Sequence, residues 1–124
     1  MVKAEEFSHY FEEGIRLFNE GKFFEAHDQW EKIWLRAGEE KKFLQGLIQV
    51  AVGYYHHSSL NLPGAVMMLE RGCGYLSGYE SGFLGLDSAE LIREAESSVD
   101  KIKNNRKFDV PQIHRTDAEW MKKD

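Results

Sequence analysis

From Phe43 to Leu69, a run of 27 residues, the chain has no Asp, Glu, Lys or Arg. Nothing else in the sequence constrains the fold as strongly. A stretch this long without a formal charge either crosses a membrane or runs through the middle of a protein. A membrane-spanning helix needs about 20 mainly apolar residues, and this stretch is interrupted by Gln45, Gln49, His56, His57, Asn61 and Pro63. The better reading is a central helix over roughly 40–59, buried on most sides, followed by the turn SSLNLPG and the start of another helix. Pro63 suits the first turn of that next helix, where its missing N–H would have had no partner anyway.

On either side, apolar residues recur at helical spacing. Phe7, Phe11, Ile15 and Phe18 mark a helix over roughly 3–19, and Gly21 after it can take the left-handed conformation that ends a helix. Phe23, Ala26, Trp30, Ile33 and Trp34 form the stripe of a second helix over roughly 22–36, stopped by Gly38. A fourth runs over roughly 63–79. The loop GYESGFLGLD carries Phe83, Leu84 and Leu86, which are expected to fold onto the core. Asp87, Ser88, Ala89 and Glu90 resemble a capping box and open a fifth helix over about 88–104. In the tail, 105–124, Phe108, Val110, Pro111 and Ile113 predict partial docking, with a frayed polar end. With two prolines and no convincing strand, the fold class is all-α: a compact bundle of about five helices in one domain, 1–124.

The first two helices match the tetratricopeptide pattern in spacing, with Tyr10, Gly14 and Leu17, then Gly21, then Phe23, Ala26 and Trp30. Shifted by 39 positions, Gly53, Ala65 and Leu69 fall under Gly14, Ala26 and Trp30. Small residues recur where two helix axes must approach closely. This predicts two tetratricopeptide-like helical hairpins and a closing helix.

The net charge of −5 argues against general nucleic-acid binding, which needs Lys and Arg to neutralise phosphates. The basic run KIKNNRK at 101–107 fits the solvated end of a helix, where cations suit the dipole. Cys73 is the lone cysteine, which excludes an intramolecular disulfide and suits a reducing compartment. MVKAEEFSHY lacks the apolar core of a signal peptide. The expected location is cytoplasmic. Aromatic residues make up 13% of the chain, and Phe24 and Leu35 point away from Trp30 on the second helix. One domain would leave such residues uncovered, so a homo-oligomer, most simply a dimer, is expected.

The candidate chemistry centres on FFEAHDQWEKIW. At about 100° per residue, His27 lies beside Trp30 and Trp34 at the edge of the aromatic face, with Glu31 one turn further on. Asp28 points to solvent. On the third helix, Gln45, Gln49, Val52 and His56 share a stripe about 60° wide. Buried amides and imidazoles need hydrogen-bond partners, so His27 and Glu31 are expected to face this stripe. Three readings follow. The polar groups form a network fixing the packing of the two helices; or they hold a ligand or partner; or His27, Glu31 and His56 form a metal or acid–base site. A sealed cluster suits a binding module, and an open cleft an enzyme. HDQWE is not HExxH, no cysteine pair helps, and amides are poor ligands for zinc, so no metal and no cofactor are expected.

Three segments, LFNEGKFFEAHDQWEKIW, FLQGLIQVAVGYYHH and NLPGAVMMLERG, resemble a prokaryotic family known as domain of unknown function 309. That pattern runs FNxGxFxEAHExWExxW, then FLQGLIQxA with a following His, then GNxxGAxxLLxRA. The resemblance covers roughly residues 10–76 and implies an all-helical bundle of unassigned activity. The motif positions are Phe18, Asn19, Gly21, Ala26, His27, Trp30, Glu31, Trp34, Gln45, Gly46, Gln49, His56, Asn61, Gly64, Ala65 and Arg71. Asp28 stands where the family has Glu, and Leu60 where it often has Gly, which suggests a different turn before Asn61. The combined expectation is a binding or protein-interaction module for an unknown protein or small molecule. Its candidate residues are His27, Glu31, Gln45, Gln49, His56, Trp30, Trp34, Asn61 and Arg71. The rival is a small hydrolase-like enzyme using His27, Glu31 and His56.

Overall fold

The computed structural model describes residues 3–116. Five α-helices follow one another: α1 (Ala4–Asn19), α2 (Phe23–Trp34), α3 (Lys41–Ser58), α4 (Leu62–Leu76) and α5 (Ser88–Lys103). A short 3-10 turn, Phe83–Gly85, precedes α5. Among the described residues the only β pairing is an isolated bridge between Leu86 and Arg115. Each helix packs on the next in sequence. No helix among the described residues is long and apolar enough to cross a membrane.

Three of the turns share one terminator. Gly21 takes φ 80°, Lys22 N–H bonds Leu17 O at 2.9 Å and Gly21 N–H bonds Phe18 O at 2.9 Å, so the last carbonyls of α1 are satisfied by a Schellman motif. Asn105 does the same after α5 at φ 54°. Leu60 does it after α3 at φ 64°, with Asn61 N–H on His56 O at 2.8 Å. The turn at Leu60 therefore does not differ from one a glycine would make. The leucine adopts the left-handed conformation because the pair of hydrogen bonds requires it.

Asn61 then starts α4, its Oδ1 accepting from Gly64 N–H at 3.1 Å. Asp87 caps α5 by accepting from Glu90 N–H at 3.1 Å. The reciprocal half of a capping box is absent. Asp87 N–H bonds His114 O at 2.8 Å, and the Glu90 carboxylate pairs with the His114 ring.

One hydrophobic cluster runs from Phe11 to Ile113. Tyr54 of α3 is its centre. The Phe18 ring of α1 lies 6.1 Å away, and the Tyr54 hydroxyl meets Ser98 Oγ of α5 at 2.9 Å. Ser98 itself donates to Glu94 O, so Tyr54 is the donor between them. The tail docks as its apolar residues predict: Ile113 is buried, and Asn19 grips it by accepting from Ile113 N–H at 2.7 Å and donating to Ile113 O at 3.0 Å. The expected frayed end, 117–124, lies outside the described residues.

The helix crossings use the small residues that the 39-residue repeat singles out. A Cβ on Gly14 would lie 2.1 Å from Trp30 Nε1, and one on Gly53 would lie 2.8 Å from the Leu69 side chain. Ala26 and Ala65 are fully buried. Without a side chain at Gly14, the Trp30 indole lies against the backbone of α1 and donates to Phe11 O at 3.2 Å.

Candidate functional site

The central helix α3 has three packed sides and one open one. Gly46 and Gly53 press on α4 through Leu76 and Leu69. Leu47, Ala51 and Tyr54 face the core and are at most 1% exposed. Gln45, Gln49, Val52 and His56 lie on the opposite side of the helix at about 100° per residue, each half-buried. The polar stripe therefore looks outward, between the flanks of α2 and α4.

His27 and Glu31 belong to the α2 flank. His27 Nδ1 lies 3.1 Å from Phe24 O, and Nε2 lies 3.2 Å from Glu31 Oε2. Both neighbours are acceptors, so a neutral ring with one N–H satisfies one of them at a time. The His27 side chain is 17% exposed and that of Glu31 52%, so the carboxylate keeps its water. The expected network across α2 and α3 is corrected here: among the described residues no hydrogen bond joins His27 or Glu31 to Gln45, Gln49 or His56. The physical reason is local. The carbonyl three residues back and the carboxylate four residues on are placed beside the ring by α2 itself, with no second helix to order.

The other candidates are dispersed. Trp30 is fully buried and acts as the anchor of the first hairpin. His56 stands with Asn61, whose Nδ2 lies 3.4 Å from its Nδ1. Trp34 sits under Lys41, with Nζ 4.8 Å from the ring centroid, and its Nε1 is buried without a hydrogen-bond partner among the described residues. Gln49 Oε1 is likewise buried and unpartnered. Gln49, Arg71, Gly74 and Tyr75 line an open groove of about 400 Å³ between α3 and α4. Arg71 is exposed and forms no ion pair among the described residues.

Sequence reasoning passed over Tyr75, whose signal is its place one turn after Arg71 on the same line of α4. It also passed over the pairing of Phe24 with Tyr55, whose ring centroids are 5.5 Å apart on the surface. Among the described residues no three His, Cys, Asp or Glu side chains group as metal ligands would. Burial pushes the Cys73 thiol up to about 11, reinforced by the charges of Glu96 and Glu70, which makes it an inert core group. The open face thus carries hydrogen-bonding groups dispersed along three helices, without a convergent acid–base pair beyond His27 and Glu31.

The chain is 30% identical over 84 residues to the uncharacterised protein YpuF of Bacillus subtilis (strain 168), an alignment covering 64% of this chain and 48% of that protein. The chain thus spans about half the length of this curated relative. A family model matches residues 11–68, from the first core phenylalanine of α1 to the second turn of α4. This segment of the chain belongs to the family described as Domain of unknown function (DUF309).

Proposed function

We propose that the protein is a binding module which holds a partner on the open face of α2, α3 and α4. One observation carries this reading: the outward stripe of α3 is half-buried, yet Gln49 Oε1 and, on α2, Trp34 Nε1 are withdrawn from solvent without a partner among the described residues. A buried polar group left unpaired costs about 1–3 kcal/mol. A partner that draws these side chains outward and supplies a donor to Gln49 and an acceptor to Trp34 recovers that cost on binding. The paired hairpins suit the role, since tetratricopeptide-like arrays present one continuous face built from successive helices. The rival enzyme reading needs His56 to join the His27–Glu31 pair, and the His56 ring contacts Asn61 instead.

The test is retention of partners by immobilised wild-type protein, a face variant (Gln49→Ala with Arg71→Ala) and a control at Glu96 (Glu96→Ala), which lines a separate groove between α4 and α5. Proteins held by wild type and control are expected to be lost from the face variant. An identical set on all three would overturn the reading.

Self-association rests on a separate observation. Phe24 is 53% exposed, Tyr55 41% and Leu35 70%. We propose that the Phe24–Tyr55 edge forms a homodimer, checked by sedimentation of wild type against Phe24→Ser. A wild-type monomer at micromolar concentration would overturn it. A cytoplasmic location is supported by the single buried thiol, which has no role in an oxidising compartment.

A further inference from the structure

The groove between α3 and α4 has a chemistry of its own. Its lining is Gln49, Arg71, Gly74 and Tyr75, with no carboxylate. This is a local exception in a chain of net charge −5. Among the other arginines, Arg93 and Arg106 also form no ion pair among the described residues, whereas Arg16 pairs with Glu13 and Glu20, Arg36 with Glu6, and Arg115 with Glu12. Arg71 instead stands exposed beside an amide oxygen that is buried and unpartnered. A Cβ built on Gly74 would meet nothing within 4 Å, so α4 presents bare backbone there. Tyr75, 39% exposed, forms the apolar side.

A guanidinium without a counter-ion selects an anion, and its planar fork matches a carboxylate in bidentate fashion. Gln49 adds a second requirement once its half-buried side chain turns the orphaned Oε1 into the groove: an N–H donor close to that anion. An acidic residue within an extended chain carries both: a backbone N–H and, a few bonds away, a carboxylate. Free phosphate near neutral pH carries its O–H donors on the anion itself, not a few bonds away along a chain.

We propose that this groove receives an acidic side chain of an extended partner peptide. Arg71 pairs with the carboxylate, Gln49 Oε1 accepts a backbone N–H, and the peptide lies over Gly74 against Tyr75. The inference rests on the binding-module reading and narrows it to one part of the face and one class of partner.

The experiment screens the full chain against an array of acetylated, amidated nonapeptides of varied sequence. The best binders are then titrated against wild type, Arg71→Gln, Gln49→Leu and the control Glu96→Gln. The selected peptides are expected to contain Asp or Glu. Their affinity should fall about tenfold or more with Arg71→Gln, the loss of one charge-assisted pair, fall less with Gln49→Leu, and stay unchanged in the control. Circular dichroism of each variant establishes that it is folded, and both substituted side chains line the groove. Peptides without carboxylates that nevertheless lose affinity with Gln49→Leu would overturn the acidic partner and leave the binding face standing. Binders indifferent to every face substitution would overturn both. Competition by millimolar inorganic phosphate would assign the groove to phosphate instead. Binding of N-acetylglutamate as tight as that of the peptides would overturn the extended chain.

Discussion

The two helical hairpins, α1–α2 and α3–α4, are built in the same register and closed by different means. Gly14, Gly21, Ala26 and Trp30 of the first correspond, 39 positions on, to Gly53, Leu60, Ala65 and Leu69 of the second. In both, a glycine on the first helix lies under the large side chain that follows the buried alanine. The first hairpin fills its crossing with an indole that also hydrogen-bonds Phe11 O. The second brings its backbones together: a Cβ on Gly72 would lie 2.9 Å from Gly46 O and 3.0 Å from Val50 N. The register of small residues is therefore the shared constraint, and what occupies the space is free to vary.

The largest effect is expected at the indole. Trp30→Ala removes a fully buried side chain and leaves Phe11 O without its extra donor, and should cost about 3–5 kcal/mol, read from urea unfolding. Glycine substitutions then separate the two kinds of crossing. Gly14→Ala and Gly72→Ala should each cost about 1–3 kcal/mol by overpacking. The first clash is with a side chain, so adding Trp30→Leu, which makes the first hairpin resemble the second, should recover part of the loss at Gly14. The second clash is with Val50 Cγ2 and also with the backbone at Gly46 O and Val50 N, so Val50→Ala should recover less of it. Equal rescue at both positions would show that the crossings are alike.

The turns offer a smaller contrast of opposite sign. Gly21 occupies the left-handed conformation at no steric cost, whereas Leu60 occupies it with a side chain that is 83% exposed. Left-handed backbone costs a non-glycine residue roughly 1–2 kcal/mol. Leu60→Gly should therefore raise stability by about 1 kcal/mol after the greater freedom of glycine in the unfolded chain is allowed for. Gly21→Leu should lower it by a similar amount. A Leu60→Gly variant no more stable than wild type would mean that the leucine side chain makes a contact worth as much as the strain.

Much of this was legible from the chain itself. The five helices follow from apolar spacing because each has one buried stripe, and Gly14, Gly53, Ala26 and Ala65 stood out as small residues at a fixed interval. The outward direction of the α3 stripe was not legible. A helix without formal charge from Phe43 onward reads as buried on most sides, and only the packing of Gly46 and Gly53 on α4 and of Tyr54 against α1 and α5 shows which side remains uncovered. The mispairing of His27 has a related cause. A helical wheel gives direction, while hydrogen bonds go first to the partners that the same helix already holds in place. The groove at Arg71 needed three dimensions, since Gln49 and Tyr75 lie on different helices.

The tail is what the first hairpin has and the second lacks. Asn19, at the end of α1, clasps both polar groups of Ile113, whereas Ser58, its counterpart at the end of α3, bonds only Tyr55 O within its own helix. Beyond Ile113 the tail is fastened to α5 by His114. The Glu90 carboxylate bonded to the ring raises its pKa above the usual histidine value, and the charges of Glu94 and Asp87 act in the same direction. A histidine raised in the folded state stabilises that state wherever the ring is protonated in both folded and unfolded chains, and the contribution disappears as pH rises through the folded pKa. The ring is 56% exposed, so solvent screening keeps the gain to about 0.2–1 kcal/mol. Wild type should therefore be slightly more stable than His114→Gln near pH 5.5, and the two should converge by pH 8.5. The Asn19 clasp involves no titrating group, so Asn19→Ala should lower stability equally at both pH values, by about 1 kcal/mol. A His114→Gln deficit that persists unchanged at pH 8.5 would show that the ring holds the tail by packing and neutral hydrogen bonding alone.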